Sequence, residues 1–492
     1  MNRSTLSLFG VTAALAAVTG VAVLTGAGAP PAAPPAKAAS LPVERSALTC
    51  PAPSDSDFAT TTYTSFTPIG KTTTSSTGAG SAKLVPVAGA SGKAKSVAPL
   101  STPGKPATGS ADTAGAPALL GTADGKLAPG WTVQQTTVID TGPDRGVLGT
   151  ACTQPDSEFW FPGTSTSADR SDYVHLTNPD DTAAVVDLEL YGTNGALTTA
   201  TGNGITIPPK STVPVLLSTL TATKAEDLTL HVTARTGRVG ASVLASTAKA
   251  GGDWLPAAAD PAESVVLPGI PADATDVRLV AYATGQDDAD LNVRLLSASG
   301  AITPAGHETL HVKSGMTASA DLADLTKGET GSLVLTPSDP NGAAPVVAAL
   351  RITRGKGANQ ETAYIPATSA ITDRATAADN RAKGSTLSLT APTAAATVKI
   401  TSSAGSGGGT PVTKTVTLKA GTTTALTPAT PTGGKGQYAV TVEHVSGGPV
   451  YGSRMLALPL NGIPMFTIQS MPDDRGLVAV PDAEENLSIL NN

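Results

Sequence analysis

Four residues in the first half of the chain have the side-chain chemistry of ligand contacts, namely Trp160, Tyr173, His175 and Asn178. Tryptophan and tyrosine combine an apolar ring with a polar edge, and histidine and asparagine can both donate and accept hydrogen bonds. No serine or cysteine stands in a pattern that would make it a nucleophile activated by His175. The four residues are therefore candidates for binding a ligand, and no catalytic residues are predicted.

Acidic residues in two loops are weak candidates for a calcium site, because Ca²⁺ prefers carboxylate oxygens. They are Asp180, Asp181, Asp287, Asp288 and Asp290. Aspartate is also a common turn residue, so a purely structural role stays open. His307 and His311 do not indicate another metal, since positions four apart on a strand lie about 13 Å apart.

Most motifs of common enzymes and cofactor-binding proteins are missing from the sequence. It contains no Gly-x-Ser-x-Gly elbow, no Cys-x-x-Cys and no glycine fingerprint between a strand and a helix. His307-Glu308-Thr309-Leu310-His311 matches His-Glu-x-x-His in its letters, but Thr309 to Val312 are predicted to form a strand, and such a zinc site needs a helix. Gly70-Lys71-Thr72 lacks the upstream glycine of a phosphate-binding loop. We therefore expect a protein that is not an enzyme and holds no cofactor.

The candidate residues belong to a series of short apolar-polar alternations separated by turn signals, which is typical of β-strands with one buried face. The pattern recurs at an offset of about 105 residues, which indicates a repeat. Positions related in this way include Leu188, Val293 and Val398; Leu190, Leu295 and Ile400; Gly195, Gly300 and Gly405; Leu228, Leu333 and Tyr438; and Leu230, Leu335 and Val440. We predict three tandem immunoglobulin-like β-sandwich domains, over 160–260, 261–370 and 371–492, arranged in series as a rod.

The region before these domains, residues 39–159, is predicted to form β-hairpins. Within it, residues from about 70 to 130 are rich in Gly, Ala and Thr and contain few large apolar side chains. Such a segment buries too little surface to offset the entropy lost on ordering. The predicted fold class is therefore all-β, with an N-terminal β region that carries a flexible insertion.

The N-terminal segment and the cysteines both suggest export. Residues 1–38 have one early positive charge, an apolar run and a small-x-small end at Ala36-Lys37-Ala38, as in a cleaved signal peptide. An uncleaved membrane anchor is the alternative. Cys50 and Cys152 are expected to form a disulfide, as is usual for two cysteines in an exported chain. The predicted location is secreted or extracytoplasmic and associated with the cell envelope.

Charge and composition exclude one class of partner. The formal net charge is -7 and aromatic residues make up only 3% of the chain, so neither a basic surface nor a base-stacking platform is indicated. We therefore expect no nucleic-acid partner. Membrane contact is expected only through residues 1–38, if they are not cleaved.

Several motifs follow one another in the first predicted domain. They are Trp160-Phe161-x-Gly163, Leu176-Thr177-Asn178-Pro179, Ala184-Val185-Val186-Asp187-Leu188 and Gly195, with Cys152 just upstream. Together they resemble a family of exported actinobacterial envelope proteins with a domain of unknown function. The resemblance covers residues from about 42 to 480 and implies an envelope location without an established activity.

These observations favour a non-catalytic scaffold or adhesion-like binding module whose partner is a cell-wall polymer or an envelope protein. A carbohydrate-binding accessory protein of cell-wall metabolism is the alternative. It would need an exposed aromatic pair on one sandwich face. The candidates for that pair are Trp160, Tyr173, Tyr191 and Trp254.

Overall fold

A computed structural model describes residues 39–70, 80–87, 96–142, 145–247 and 249–480. The N-terminal segment, whose signal or anchor role is predicted from sequence, lies outside these ranges. Antiparallel β-sheets and short turns make up the described chain, and no helix in it is long and apolar enough to cross a membrane. The fold is therefore all-β, as the sequence predicts, and none of the sheets is closed.

Two compact units divide the chain. The large one covers Pro42–Gly476. The described part of the small one is a two-stranded sheet that includes the first strand, β1 (Ala39–Pro42), and is taken up last. In the large unit, the described strands form eight sheets, which pack face to face as four pairs. Each pair encloses a hydrophobic core.

The first pair lies in the region before the three predicted domains. Its strands are β2 (Arg45–Cys50), β3 (Ala59–Phe66), β4 (Ala82–Pro86), β5 (Val97–Leu100), β6 (Ala107–Ala111), β7 (Leu119–Asp124), β8 (Thr132–Ile139) and β9 (Gly146–Ala151), with a 3₁₀ turn at Gly125–Leu127. One sheet has the order β2-β7-β4-β5 and the other has the order β6-β3-β8-β9. The region is a complete sheet pair and not a set of hairpins.

Strands β4 to β7 occupy the segment for which the sequence predicts a flexible insertion, so that prediction is wrong for the described residues between 80 and 130. The strands carry few large side chains of their own. They are ordered because they share a core with Tyr63, Leu127 and Trp131, which lie outside or at the end of the small-residue segment. The parts of the predicted insertion at 71–79 and 88–95 lie outside the described residues.

The second, third and fourth pairs follow in chain order. The second pair consists of β10 (Glu158–Thr164), β11 (Arg170–Thr177), β12 (Ala184–Gly192), β13 (Gly195–Ala196), β14 (Ile205–Ile207), β15 (Thr212–Leu216), β16 (Leu228–Thr236), β17 (Gly240–Thr247) and β18 (Gly251–Leu255), with a 3₁₀ turn at Leu217–Thr219. The third consists of β19 (Val265–Ile270), β20 (Ala274–Ala283), β21 (Ala289–Ser297), β22 (Gly300–Ile302), β23 (Thr309–Val312), β24 (Thr317–Asp321), β25 (Gly331–Pro337), β26 (Val346–Arg354) and β27 (Glu361–Pro366), with 3₁₀ turns at Pro340–Gly342 and Gly357–Asn359. The fourth consists of β28 (Arg374–Asn380), β29 (Ser385–Ala391), β30 (Ala396–Gly405), β31 (Val412–Leu418), β32 (Thr422–Leu426), β33 (Tyr438–Gly447), β34 (Tyr451–Ala457) and β35 (Phe466–Ser470).

All four pairs share one strand order. In the second pair β13 and β14 together take the place of the fourth strand, and in the third pair β22 and β23 do so. With the strands of each pair numbered one to eight in this way, one sheet has the order 1-6-3-4 and the other has the order 5-2-7-8. An immunoglobulin sandwich keeps its second and penultimate strands in different sheets. Here those strands are hydrogen-bonded neighbours, as in β11–β17 and β20–β26. The immunoglobulin-like topology is therefore not confirmed, whereas the sandwich-like layering is.

The repeat offset of 105 residues is correct for the third strand and wrong for the sixth. Leu190 pairs with Leu230, whereas Leu295 pairs with Leu333, so Leu333 corresponds to Leu230 and not to Leu228. The connection between third and sixth strands is two residues shorter in the third pair. Because side chains on a strand alternate with a period of two, this difference leaves the same face buried and does not disturb the apolar pattern.

The four pairs close into a ring, so the predicted rod is wrong. The eighth strands β9, β18, β27 and β35 meet at the centre, each beside the next, and β35 returns to β9. Around them, the first strand of each pair packs on the second or seventh strand of the next, as β10 does on β26, β19 on β34 and β28 on β8. Small apolar clusters lie at the four junctions, formed by Leu148 and Trp254, by Trp160 and Tyr282, by Val266 and Tyr451, and by Phe66 and Ala378.

Glycine allows the central strands to approach closely. A Cβ atom on Gly149 of β9 would lie 2.0 Å from Nε2 of Gln469 on β35, and one on Gly146 would lie 2.6 Å from Oε1 of Glu361 on β27. Neither position has room for a side chain. The contact between the first and the fourth pair therefore depends on a bare backbone at Gly149.

The small unit consists, among its described residues, of β1 paired with β36 (Leu477–Val480). Leu477, Val478 and Val480 are exposed. This sheet is described by itself, and no part of the site below involves it.

Candidate functional site

A cavity of ≈ 640 Å³ lies where the four central strands end. The segments that follow β9, β18, β27 and β35 all contribute to its wall, with lining residues at 151–154, 256–262, 366–369 and 472–475. Its volume is in the range of small-molecule and peptide pockets. The cavity therefore belongs to the ring as a whole and is lined by every sheet pair in the large unit.

Two glutamines from the ring centre also line the cavity. Gln469 is only 2% exposed, and its Nε2 donates to Oγ1 of Thr467 at 3.0 Å, while its Oε1 has no hydrogen-bond partner. Gln134 accepts two hydrogen bonds at Oε1, from the backbone N–H of Asp379 and from Nη2 of Arg454, each at 2.7 Å. The side-chain oxygen of Gln134 is thus fully engaged, whereas that of Gln469 has no donor.

Among the described lining residues, the charged side chains are predominantly acidic. The lining contains five carboxylate side chains and one basic side chain, Arg475. The carboxylates are Asp156, Glu158, Asp260, Asp473 and Asp474. Because these carboxylates outnumber the basic side chain, the cavity is suited to a ligand that carries positive charge.

The two carboxylates after β35 hold the chain in place. Asp474 accepts a hydrogen bond of 2.6 Å from Nε of Arg374, and burial raises its pKa while Arg374 opposes that effect. Asp473 accepts from the backbone N–H of Asp373 at 2.7 Å and from the hydroxyl of Thr372 at 2.6 Å. Burial acts to raise the pKa of Asp473, but these hydrogen bonds lower it overall.

Trp160 is the one predicted ligand contact that lines the cavity. It is 8% exposed, and its indole stacks on the imidazole of His231 with centroids 3.7 Å apart. The other contacts are a hydrogen bond of 3.1 Å from Nε1 to Glu158 and a stacked arrangement with Tyr282. Trp160 therefore packs the junction between the second and third pairs and does not present an open ring face.

His231 is part of a polar group that the sequence alone does not reveal. It lies between Glu158 and Glu189, at 3.0 and 3.2 Å from their carboxylate oxygens. The three residues come from β10, β12 and β16, where His231 is opposite both Trp160 and Glu189. Only the strand register, which the sequence does not give directly, could have brought them together.

The other three predicted ligand contacts do not line the cavity. Tyr173 is 38% exposed on the outer face of β11. His175 packs edge-on against Trp254 at 5.2 Å, and burial lowers its pKa to about 4. Asn178 donates to the carbonyls of Thr182 and Ile207 at 2.8 and 3.0 Å, which makes it part of a turn. The four predicted ligand contacts therefore do not form one site, and only Trp160 lines the cavity.

The first acidic loop faces basic side chains. Both carboxylate oxygens of Asp180 accept hydrogen bonds of 3.1 Å from the guanidinium of Arg238. Hydrogen bonding to Arg238 lowers the pKa of Asp180, with burial as a weaker opposing effect. Asp181 lies 3.6 Å from Nζ of Lys210. These carboxylates are neutralised within the second pair.

The second acidic loop surrounds a histidine. Asp290 lies 2.8 Å from Nδ1 of His311, and Asp288 lies 3.5 Å from Nε2 of the same ring. Asp287 is exposed beside them. In the part of the chain that the structure describes, no group of three or more His, Cys, Asp or Glu side chains is arranged to hold a metal ion.

Two buried carboxyl groups lie at the ring centre, and the sequence analysis did not single them out. Asp253 accepts from the backbone N–H groups of Gly149 and Trp254, both at 2.8 Å, and burial raises its pKa well above the usual range. Burial also raises the pKa of Glu361 to about 8, although Arg145 and a nearby backbone N–H act in the opposite direction. A period-2 pattern predicts an outward position for such residues, and only ring closure buries them.

The predicted disulfide between Cys50 and Cys152 is confirmed, with Cα atoms 4.4 Å apart. It joins the end of β2 to the segment that follows β9. Beside it, the backbones of Thr49 and Thr153 exchange two hydrogen bonds. The disulfide thus fastens one of the four segments that line the cavity, where Cys152 itself is a lining residue.

The fold and the cavity define an all-β protein of sandwich-like sheet pairs joined in a ring. A family model described as "Family of unknown function (DUF5719)" matches residues 107–429, more than half of the chain, and the chain belongs to this family. The match begins at β6 in the first pair and ends after β32 in the fourth, so it reaches all four pairs. It confirms the resemblance to an uncharacterised family. No curated protein matches the chain.

Proposed function

We propose that this protein is a non-catalytic binding or scaffold protein of the cell envelope, built from four tandem sandwich units, and that it binds its partner at the axial cavity. The observation that carries the proposal is the lining of that cavity by segments from all four sheet pairs. A site made at such a junction exists only when the ring is closed. Selection for binding would therefore explain why four similar units remain in one chain.

An extracytoplasmic location is part of the proposal. The disulfide between Cys50 and Cys152 is compatible with an oxidising compartment, because such bonds are rare in the cytosol. The proposed partner is a cell-wall polymer or an envelope protein. The segment 1–38 would direct the chain there as a signal peptide or an anchor.

Four titratable residues around the cavity, Asp473, Asp474, Glu158 and Cys152, support binding in preference to catalysis. Asp473 and Asp474 hold the end of the fourth pair, and Glu158 accepts from Trp160. Cys152 is oxidised in the disulfide. These groups are engaged in contacts that stabilise the wall, which suits a rigid, preorganised binding surface.

The carbohydrate-binding alternative has weaker support. Of its four candidate aromatic residues, Trp254 is 0% exposed and Trp160 is packed at a junction. The remaining two, Tyr173 on β11 and Tyr191 on β12, belong to opposite sheets of the second pair, so their outer faces point in opposite directions. Two such rings do not form a single stacking platform for a sugar.

In-cell photo-cross-linking tests this proposal. A photoreactive residue placed at Gln154, an exposed lining position, is expected to capture a specific envelope protein, or a wall polymer seen as a ladder that a wall hydrolase removes. The same group at the exposed position Thr108, which is not a lining residue, is the control. Equal capture from both positions, or from neither, would contradict binding at the cavity.

A further inference from the structure

We propose that the axial cavity takes a basic side chain, a lysine or arginine, from a peptide segment of the partner. This inference rests on the proposed binding function and specifies the chemistry of the same site. Three features of the cavity support it: uncompensated carboxylates, a buried acceptor without a donor, and a wall of small apolar residues.

The first feature is the charge at the cavity mouth. Asp156 and Asp260 are exposed lining residues, and neither forms an ion pair with a residue in the described ranges. Among the described residues, the carboxylate of Asp156 accepts only from the adjacent backbone N–H of Ser157, while its backbone carbonyl accepts from the N–H of Val239. Arg475 is the single basic residue of the lining. A cationic ligand would gain charge-assisted hydrogen bonds from these carboxylates, which are stronger than those between neutral groups.

The second feature is the free acceptor on Gln469. The hydroxyl of Thr467 donates to the carbonyl of Gly149 at 3.5 Å, and it accepts from Nε2 of Gln469 at 3.0 Å. In this arrangement Nε2 of Gln469 points to Thr467, and Oε1 is the atom without a partner among the described residues. A buried polar atom without a hydrogen bond destabilises the protein, because its hydration is lost and not replaced. Gln469 lines the cavity, but Oε1 itself is enclosed, so a ligand donor would reach it only once the amide turns toward the cavity. Ammonium and guanidinium groups carry only donors and would then satisfy this oxygen.

The third feature is the wall formed after β18. Pro256, Pro261 and the alanines between them and after them line the cavity. Small apolar residues offer a surface along which the methylene stem of lysine or arginine can pack while its charged head reaches the carboxylates. The lining thus matches the two parts of a long basic side chain.

Calorimetric titration of the purified full chain with Ac-Ala-Lys-Ala-NH₂ tests the inference. The matched ligand has norleucine in place of lysine, which keeps the stem and removes the ammonium group. We expect the lysine peptide to bind at least about tenfold more tightly, with the difference shrinking as salt is added. Equal affinities, or no binding of either peptide, would overturn the inference.

Variants locate the binding. The double substitution Asp156→Asn and Asp260→Asn is expected to weaken lysine-peptide binding about tenfold or more, because it removes both uncompensated charges. Asp287→Asn, at an exposed position that does not line the cavity, is the matched control and should leave binding unchanged. If both variants bind as the parent protein does, the ligand lies elsewhere and the inference is wrong.

A third arm separates the ligand sources. Binding of glucosamine in preference to N-acetylglucosamine, without binding of the lysine peptide, would assign the cavity to an amino sugar and overturn the peptide assignment. Specific cross-linking from Gln154 without peptide binding would leave the proposed function intact and refute this inference. Peptide binding without cross-linking in cells would do the reverse.

Discussion

Arg454 donates a hydrogen bond of 2.7 Å from Nη2 to Oε1 of Gln134, a residue 320 positions earlier in the chain. Arg454 lies on β34 of the fourth pair and Gln134 on β8 of the first. Both side chains are buried, and burial lowers the pKa of Arg454 to about 10. The contact therefore joins the two ends of the large unit inside the protein.

Removing the acceptor should weaken the ring. Gln134→Leu leaves Nη2 of Arg454 and the backbone N–H of Asp379 without their partner. We expect the free energy of unfolding to fall by about 2–4 kcal/mol, because a buried donor and a buried charge lose their hydrogen bonds. Chemical denaturation measures the change. Gln154→Leu, at an exposed position, is the control, and equal stabilities of the two variants would contradict the prediction.

Glu361 should make the protein less stable at high pH. Its pKa is raised from 4.5 to about 8 in the folded protein, so between these values the folded state keeps a proton that the unfolded state has lost. Stability from this group is complete below pH 4.5 and disappears as the pH rises through about 8. The expected loss is about 3–5 kcal/mol. Asp253, whose pKa is also raised by burial, acts in the same direction.

Denaturation of Glu361→Gln at a series of pH values measures this effect. As the pH rises from 4.5 to about 8, the free energy of unfolding of the variant should fall much less than that of the parent protein. Glu263→Gln changes an exposed carboxylate and should keep the parental profile. A parallel profile for Glu361→Gln and the parent protein would show that Glu361 is not buried at a closed centre.

His175 should make the protein less stable at low pH. Burial lowers its pKa from 6.5 to about 4, so the unfolded state takes up a proton in this range while the folded state does not. Stability from this group is complete above pH 6.5 and is lost as the pH falls toward 4. His175→Gln should remove about 3 kcal/mol of this acid-induced loss. The measurement is the difference between the two denaturation profiles, and a constant difference from pH 7 to pH 4 would refute the prediction.

The disulfide should stabilise the first pair and, through it, the cavity wall. Cys50 and Cys152 are 102 residues apart, and closing a loop of this length contributes about 4–5 kcal/mol in the chain-entropy view. We expect the double variant Cys50→Ala and Cys152→Ala to unfold at correspondingly lower denaturant. A reducing agent should lower the stability of the parent protein and leave the variant unchanged. If the reductant does not change the stability of the parent protein, the disulfide does not contribute this stabilisation.

Local features of the fold could be predicted from the sequence. Alternation at Val186, Leu188 and Leu190 gives the strand and its buried face, and all three side chains are buried in the second core. The disulfide could be predicted because the chain has only two cysteines. The buried face of a strand depends on residues that are close in sequence. The disulfide depends on the number of cysteines and on an oxidising compartment, which residues 1–38 suggest.

The first sheet pair could not be predicted as a sandwich from the sequence, for a physical reason. Strand β6, Ala107–Ala111, has only alanine, threonine, glycine and serine, a composition that indicates a flexible segment when considered alone. It is ordered by its neighbour, since β6 pairs with β3 over the whole of Thr61 to Ser65. The apolar pattern of a segment shows which of its own side chains can be buried. It does not show which neighbouring strands will pair with that segment and order it.

The candidate site could be predicted only in part. Trp160 was expected and does line the cavity, but the cavity depends on segments more than 300 residues apart, such as those around Gln154 and Asp473. The sequence holds one signal of the close contact at Gly149, namely a glycine inside a predicted strand. Such a glycine often indicates that another backbone or side chain approaches closely. That signal does not name the partner strand, and so it could not predict the ring.

Small-angle X-ray scattering from the purified monomeric chain tests the ring most directly. A closed unit of this size has an expected radius of gyration of about 22–25 Å, whereas four sandwich units placed end to end would exceed about 35 Å. The ring predicts the compact value, and it predicts no change when the ionic strength is raised, since the junction contacts include apolar clusters and buried hydrogen bonds such as that between Arg454 and Gln134. A radius above about 35 Å would contradict the ring, and with it the axial cavity and the function proposed for it.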